Sequence, residues 1–129
     1  MPTITEQFID CIAAIRYDTL PPAAIDMARQ VTLDGIAVIL AGSTEPLGVG
    51  RIALEYARSI GSAPQASVIG SGFKCSLQDA ANANGTLAHA LDYDAMWYPL
   101  TPPESPTLPA IFAIAEYHHL SGARVVEAI

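Results

Sequence analysis

Residues 76–91 read SLQDAANANGTLAHAL. Ser76 with Asp79 three residues later is a helix-opening pattern, a hydroxyl cap followed by an acid in the first turn. The alanines and the single glycine, Gly85, make a slim helix that a neighbouring helix can approach closely. Such a helix belongs inside an assembly of helices, and the rest of the chain supplies them.

Toward the N-terminus, Thr3 and Glu6 form a capping-box pattern, and Phe8, Ile9, Ile12 and Ile15 recur at helical spacing, predicting a first helix that ends near Tyr17. The DTLPP segment, 18–22, interrupts it. Pro21 and Pro22 suit the first turn of a second helix. Ile25, Met27, Ala28, Val31 and Ile36 carry it to a stop at Ala41-Gly42-Ser43, a long helix expected to be mostly buried. RIALEYARSIG, 51–61, predicts a short amphipathic helix with Ile52, Leu54, Tyr56 and Ile60 near or on its inner side, closed by Gly61. ASVIG and GFKCS read as a minor hairpin at the edge of the helical body. Beyond the quoted stretch, LPAIFAIAEYHHL, 108–120, is the last complete helix. GARVVEAI resembles the first two turns of another that stops at Ile129. The expectation is an all-α helical bundle over residues 1–129 with at most a short β-hairpin, truncated at its C-terminal end and forming the N-terminal portion of something larger.

With 129 residues and 51% apolar content the chain fills one core. Six basic against thirteen acidic residues, a net charge of -7 and no basic run oppose binding to nucleic acid or to an anionic membrane. GIAVILAG, between Asp34 and Glu45, is too short to span a bilayer, and MPTITEQFID lacks the basic start of a secretion signal. Cys11 and Cys75, far apart and without a second pair, read as reduced, small core residues of a cytoplasmic protein.

GVGRIA, 48–53, imitates a dinucleotide-binding glycine turn. Ser43 to Leu47 intervene between it and the apolar run, however, and no acidic residue follows ASVIG to hold a ribose. His118 and His119, adjacent on a helix, point about 100° apart and do not converge on a metal. Lys74 reads as a solvated surface lysine. His89 and Asp92 differ in kind: three residues apart, they share a face if the helix persists to Asp92, and the carboxylate would favour the charged imidazole. Asp94 would face elsewhere unless the helix has already ended. The prolines at 99, 102, 103, 106 and 109 predict an irregular loop beside them, a common carrier of reactive groups.

The order LDGIAVILAGS, AANANGTLAHALDYD, W-Y-P, SPTLPAIFAIAE and SGARVVEAI resembles the N-terminal helical domain of the MmgE/PrpD family, which includes 2-methylcitrate dehydratases and cis-aconitate decarboxylases. NG-x-x-x-H-x-LDYD is the most specific segment. The resemblance implies a metal-independent lyase without a cofactor, a hydro-lyase or carboxy-lyase acting on small polycarboxylates, with a homodimer as its assembly. It places the aspartate that opens the family motif D-[FY]-[DN]-D on Asp92, the first candidate catalytic residue. His89 is a weaker carry-over, because dehydratase members can lack it, and Asp94 matches the third motif position.

Departures accompany the matches. Where decarboxylase-like members continue D-T-W-H-P-x-x-H-P-S, this chain has Ala95, Met96, Trp97, Tyr98, Pro99, Leu100, Thr101, Pro102, Pro103 and Glu104. Proline cannot exchange a proton, so a step using the histidine of that motif is closed at Pro102. One lysine and five arginines are also too few to offset the desolvation of a di- or tricarboxylate, so the anion-binding groups are expected from other segments and the chain alone is expected to be inactive. The alternative from a different class is a non-catalytic interaction module, a remnant that pairs exposed apolar helices with another chain.

Overall fold

The computed structural model describes residues 1–99 and 101–129; Leu100, in the departed motif, lies outside them. Six helices surround one hairpin: α1 Ile4–Ala14, α2 Pro22–Gly42, α3 Val49–Ile60, β1 Ala66–Val68, β2 Phe73–Cys75, α4 Leu77–His89, α5 Glu104–Tyr117 and α6 Gly122–Ala128. A 3-10 turn, Tyr17–Thr19, joins α1 to α2. The fold is therefore helical with a minor antiparallel hairpin, as the sequence predicts.

Local chemistry sets most of the ends. The Thr3 hydroxyl accepts from the Glu6 amide while the Glu6 carboxylate accepts from the Thr3 amide, and the Ser76 hydroxyl accepts from the Asp79 amide. Gly61 closes α3 in the left-handed conformation. Two boundaries differ from expectation. The first helix stops at Ala14 rather than near Tyr17, whose amide is instead held by Glu127 of α6 at 2.8 Å. The fifth begins at Glu104 rather than Leu108: Pro106 fits the opening turn, whose amides need no intrahelical partner, and Pro109 lies inside the helix, so neither belongs to the expected loop.

Helix α4 is the axis, packed by α2, α3 and α5. Its alanines Ala80, Ala83 and Ala88 are buried with Leu87, and Ile39 of α2, Ala57 of α3, Val68 and Cys75 of the hairpin complete the core. The approach is closest at two glycines. A Cβ on Gly42 would stand 1.9 Å from the Leu87 carbonyl oxygen, and one on Gly50 would stand 2.0 Å from the Gly42 carbonyl oxygen. The C-terminus of α2, the start of α3 and the last turn of α4 thus meet backbone to backbone, and only glycine fits.

Several burial expectations are corrected. Helix α2 is not mostly buried; it buries Ala28, Gly35, Val38, Ile39 and Gly42 but leaves Met27, Leu33 and Leu40 exposed. On α3 the inner side is Gly50 and Ala57, with Leu54 partly buried, while Ile52, Tyr56 and Ile60 are exposed and line a cavity of ≈ 230 Å³ against Asn82 and Thr86 of α4. Cys75 lies in the core, whereas Cys11 is exposed on α1, which buries nothing. Among the described residues no helix is long and apolar enough to cross a membrane.

Side chains from α4 and α5 fasten the hairpin. Asn84, 1% exposed, accepts from the Ile69 amide at 2.9 Å and donates to the Ser67 carbonyl at 3.0 Å. Glu116 accepts from the Ser67 amide and hydroxyl, both at 2.7 Å, and from the Lys74 ammonium at 2.6 Å. Lys74 is exposed at the surface, as the sequence predicts, and is paired there with Glu116. Burial alone would raise the Glu116 carboxyl, but Lys74 and the two Ser67 donors outweigh it and hold the group down at about 2.

Gly42→Ala should lose about 3 kcal/mol or more, because neither backbone can retreat from the inserted methyl group; urea unfolding measures it. Glu116→Gln should cost about 1–2 kcal/mol near neutral pH, discounted for the solvent that reaches the pair. As the folded-state value is depressed, this contribution is present above about 4.5 and is lost as the pH falls through about 2. Denaturation of both proteins across that range should show the deficit closing toward the acid end.

Candidate functional site

Helix α4 ends at His89, and the chain turns at once. Asp92 adopts a positive φ of 54°, tolerable for an aspartate, and its amide donates back to the His89 carbonyl at 3.1 Å. The reversal carries Asp94 under the histidine, where His89 Nδ1 and Asp94 Oδ1 are 2.9 Å apart. Asp92 remains in solvent, its Oδ1 3.9 Å from His89 Nε2. The helix does not persist to Asp92, so the closer partner of His89 is Asp94, the residue expected to face away had the helix continued. His89, Asp92 and Asp94 form one cluster, with the half-exposed imidazole between an open carboxylate and a buried one.

The two flanking acids set the charge. The hydrogen bond that the ring donates to Asp94, and then the negative charge of Asp94, raise the His89 imidazole above the usual histidine range, with a smaller contribution from Asp92. Asp94 is only 3% exposed. Burial would raise its carboxyl, but the nearby Ser105 hydroxyl and His89 reverse this and leave it lowered. Both shifts favour the charged pair, an imidazolium on a buried carboxylate, over the neutral one.

The cluster flanks an open cavity of ≈ 660 Å³ between α4 and the start of α5, lined by Asn82, Gly85, Thr86, His89 and Ser105 among others. Gly85 matters here: a Cβ on it would stand 3.0 Å from the Ser105 carbonyl oxygen, so the glycine lets α5 begin beside the histidine. Met96, Trp97 and Tyr98 are exposed on a small loop closed by the mutual hydrogen bonds of Trp97 and Thr101.

One residue escaped the sequence reading. Glu104, at the start of α5, is 3% exposed, and its Oε2 accepts from the Ala95 amide at 3.0 Å. A glutamate after two prolines resembles any acid favoured by a helix N-terminus, and nothing local announces its burial.

Ligand atoms of His89, Asp92 and Asp94 all lie within 4.8 Å of one another. A divalent ion would need Nε2 of His89 unprotonated, with Nδ1–H still on Asp94, whereas the two acids favour the charged ring. His119 leaves its helix with a φ of 52°, and IAVILAG is part of α2, so no strand precedes GVGRIA to make a phosphate turn.

The chain matches the family model of the MmgE/PrpD N-terminal domain over residues 6–129. The cis-aconitate decarboxylase of Homo sapiens is 29% identical over 117 residues, covering 90% of this chain and 24% of that protein. The cis-aconitate decarboxylase of Mus musculus is 28% identical over 118 residues, with the same coverage of each. The chain thus spans about a quarter of the length of the curated relatives it matches. No solved structure gives a significant match.

Replacing Asp94 by asparagine should lower the His89 titration midpoint toward the ordinary histidine value, followed by NMR of the ring protons. The stability deficit of Asp94→Asn should be largest between the lowered carboxyl and the raised imidazole. It should shrink as the pH rises through the His89 midpoint, where the imidazolium is lost, and as it falls through that of Asp94. Thermal unfolding across that range checks the window.

Proposed function

The chain belongs to the MmgE/PrpD family through its N-terminal domain, and from that premise we propose that it supplies part of the active site of a metal-independent lyase acting on small polycarboxylates. The observation that carries the reading is the imidazole of His89, fixed by Asp94 and standing in the wall of an open groove with the Asp92 carboxylate beside it. Loss of water or carbon dioxide from a polycarboxylate needs a cationic donor for a substrate carboxylate and a group that exchanges a proton at the reacting carbon, taking one up in dehydration and giving one to the carbanion left by decarboxylation. His89 takes the first role through Nε2, Asp92 the second, and Asp94 keeps the ring charged and oriented.

The remaining cationic groups come from other segments. Lys74 is paired with Glu116, Arg29 with Asp26, Arg51 with Glu55 and Arg124 with Glu127. Arg58 lies over the Phe73 ring at 4.6 Å, and Arg16 donates to the carbonyls of Ala13 and Ile15. Every lysine and arginine is engaged away from the groove, so the domain of residues 1–129 does not complete the site. Cytoplasmic location and homodimeric assembly belong to the same proposal.

A second reading, a non-catalytic interaction module, draws on the apolar stripe of Ile4, Phe8, Ile9 and Ile12, which stands exposed along α1. The two readings part at the groove, since an interaction module has no use for a charged histidine there.

Titrating cis-aconitate or 2-methylcitrate into the chain should move the NMR signals of His89, Asn82 and Thr86 at millimolar ligand, without turnover. Asp94→Asn should weaken the effect several-fold. Signals unmoved by either acid would sink the lyase reading, and turnover abolished by Asp92→Ala would overturn the claim that the site is incomplete.

A further inference from the structure

We propose that Glu104 is a positioning residue of this site: its buried side chain anchors the Ala95 amide and thereby holds Asp94 against His89. As a role in a reaction this rests on the lyase reading, but the coupling it describes is a property of the fold.

Three elements converge on the Glu104 carboxyl. From the loop, the Ala95 amide donates to Oε2 at 3.0 Å. That amide shares a rigid peptide plane with the Asp94 carbonyl, so fixing its direction also fixes the backbone from which the Asp94 side chain reaches His89. From α2, Gly35 leaves the space the carboxyl occupies, since a Cβ there would stand 3.0 Å from Glu104 Oε1 and 2.4 Å from Leu108 Cδ1. The third element is α5 itself, which begins at Glu104 and continues into Ser105 beside Asp94.

The environment decides the chemical form. Burial raises the Glu104 carboxyl, and the charged groups that bear on it, Asp34 from α2 and Asp94 from the loop, are both acidic and raise it further; only the Ala95 amide acts the other way. Its Oε1 is buried without a partner as an ionised acceptor. A carboxylic acid resolves this, accepting from Ala95 at one oxygen and donating toward Asp34 from the other. In that form Glu104 ties α2 and α5 to the loop without adding a negative charge beside Asp94. The tie differs from general packing in that it acts on one peptide, the one that sets the distance between Asp94 and His89.

The test follows the His89 ring signals against pH in the wild type, Glu104→Gln and Glu104→Met. Glutamine keeps an acceptor for Ala95 and a donor for Asp34, so its His89 midpoint should match the wild type. Methionine keeps the length and loses the acceptor, so its midpoint should fall toward that of Asp94→Asn. A folded Glu104→Met protein with the wild-type midpoint overturns the proposal, even where its melting temperature has dropped. Should Glu104→Met fail to fold, hydrogen exchange at the Ala95 amide of the wild type decides. Exchange at least tenfold slower than at an unprotected amide supports the anchor, and exchange at the unprotected rate overturns it. Neither readout involves turnover or ligand, so failure of the lyase reading would leave this coupling in place and be recognised separately.

Discussion

The backbone contact of Gly42 with the Leu87 carbonyl is the constraint on which the rest of the structure turns. It seats the last turn of α4 directly against the ends of α2 and α3, and two residues later the same helix delivers His89. A methylene inserted at that crossing could not be absorbed by a side-chain rotation, because both contact partners are main chain. The catalytic candidate is therefore placed by a backbone crossing of α2 and α3 with the helix that carries it. Hydrophobic burial around Ile39, Leu87 and Val68 stabilises the crossing, but the glycines determine its depth.

Electrostatics then selects what the crossing presents. A strongly acidic chain presents an imidazole at its groove and sets a buried aspartate against it, which favours the charged form of the ring. Burying a carboxylate is costly unless donors surround it; His89 serves Oδ1 of Asp94, and Oδ2 is left without a hydrogen-bond partner. The same economy recurs at the hairpin, where Glu116 gathers Lys74 and both Ser67 donors. At Glu104 the donors are too few and the neighbours acidic, so the group moves the opposite way. Asp94, Glu116 and Glu104 thus occupy three electrostatic environments, each set by what the adjoining element supplies.

Much of the fold was legible because helix ends are written locally. Thr3 with Glu6, Ser76 with Asp79, and Gly61 each satisfy amides or permit a conformation within a few residues, and periodicity fills the intervals. Burial was less legible, since an apolar stripe records a preference for cover rather than its presence. Ile52, Tyr56 and Ile60 carry such a stripe, yet small residues, Gly50 and Ala57, took the inner positions because the helices meet so closely. The site followed the same division. His89, Asp92 and Asp94 stood out as types, but pairing them by helical spacing assumed a helix that ends three residues too soon for it. Glu104 left no trace, because its burial depends on Gly35, far away in sequence.

The left-handed turn at Asp92 has a consequence of its own. A backbone bent that way admits glycine, asparagine and aspartate readily and most other residues only with strain. The position is thus biased toward a vocabulary of three by geometry before any chemistry is considered. Within that vocabulary glycine offers no side chain and asparagine no charge, so the aspartate found there conveys a single piece of information: the turn carries a negative charge.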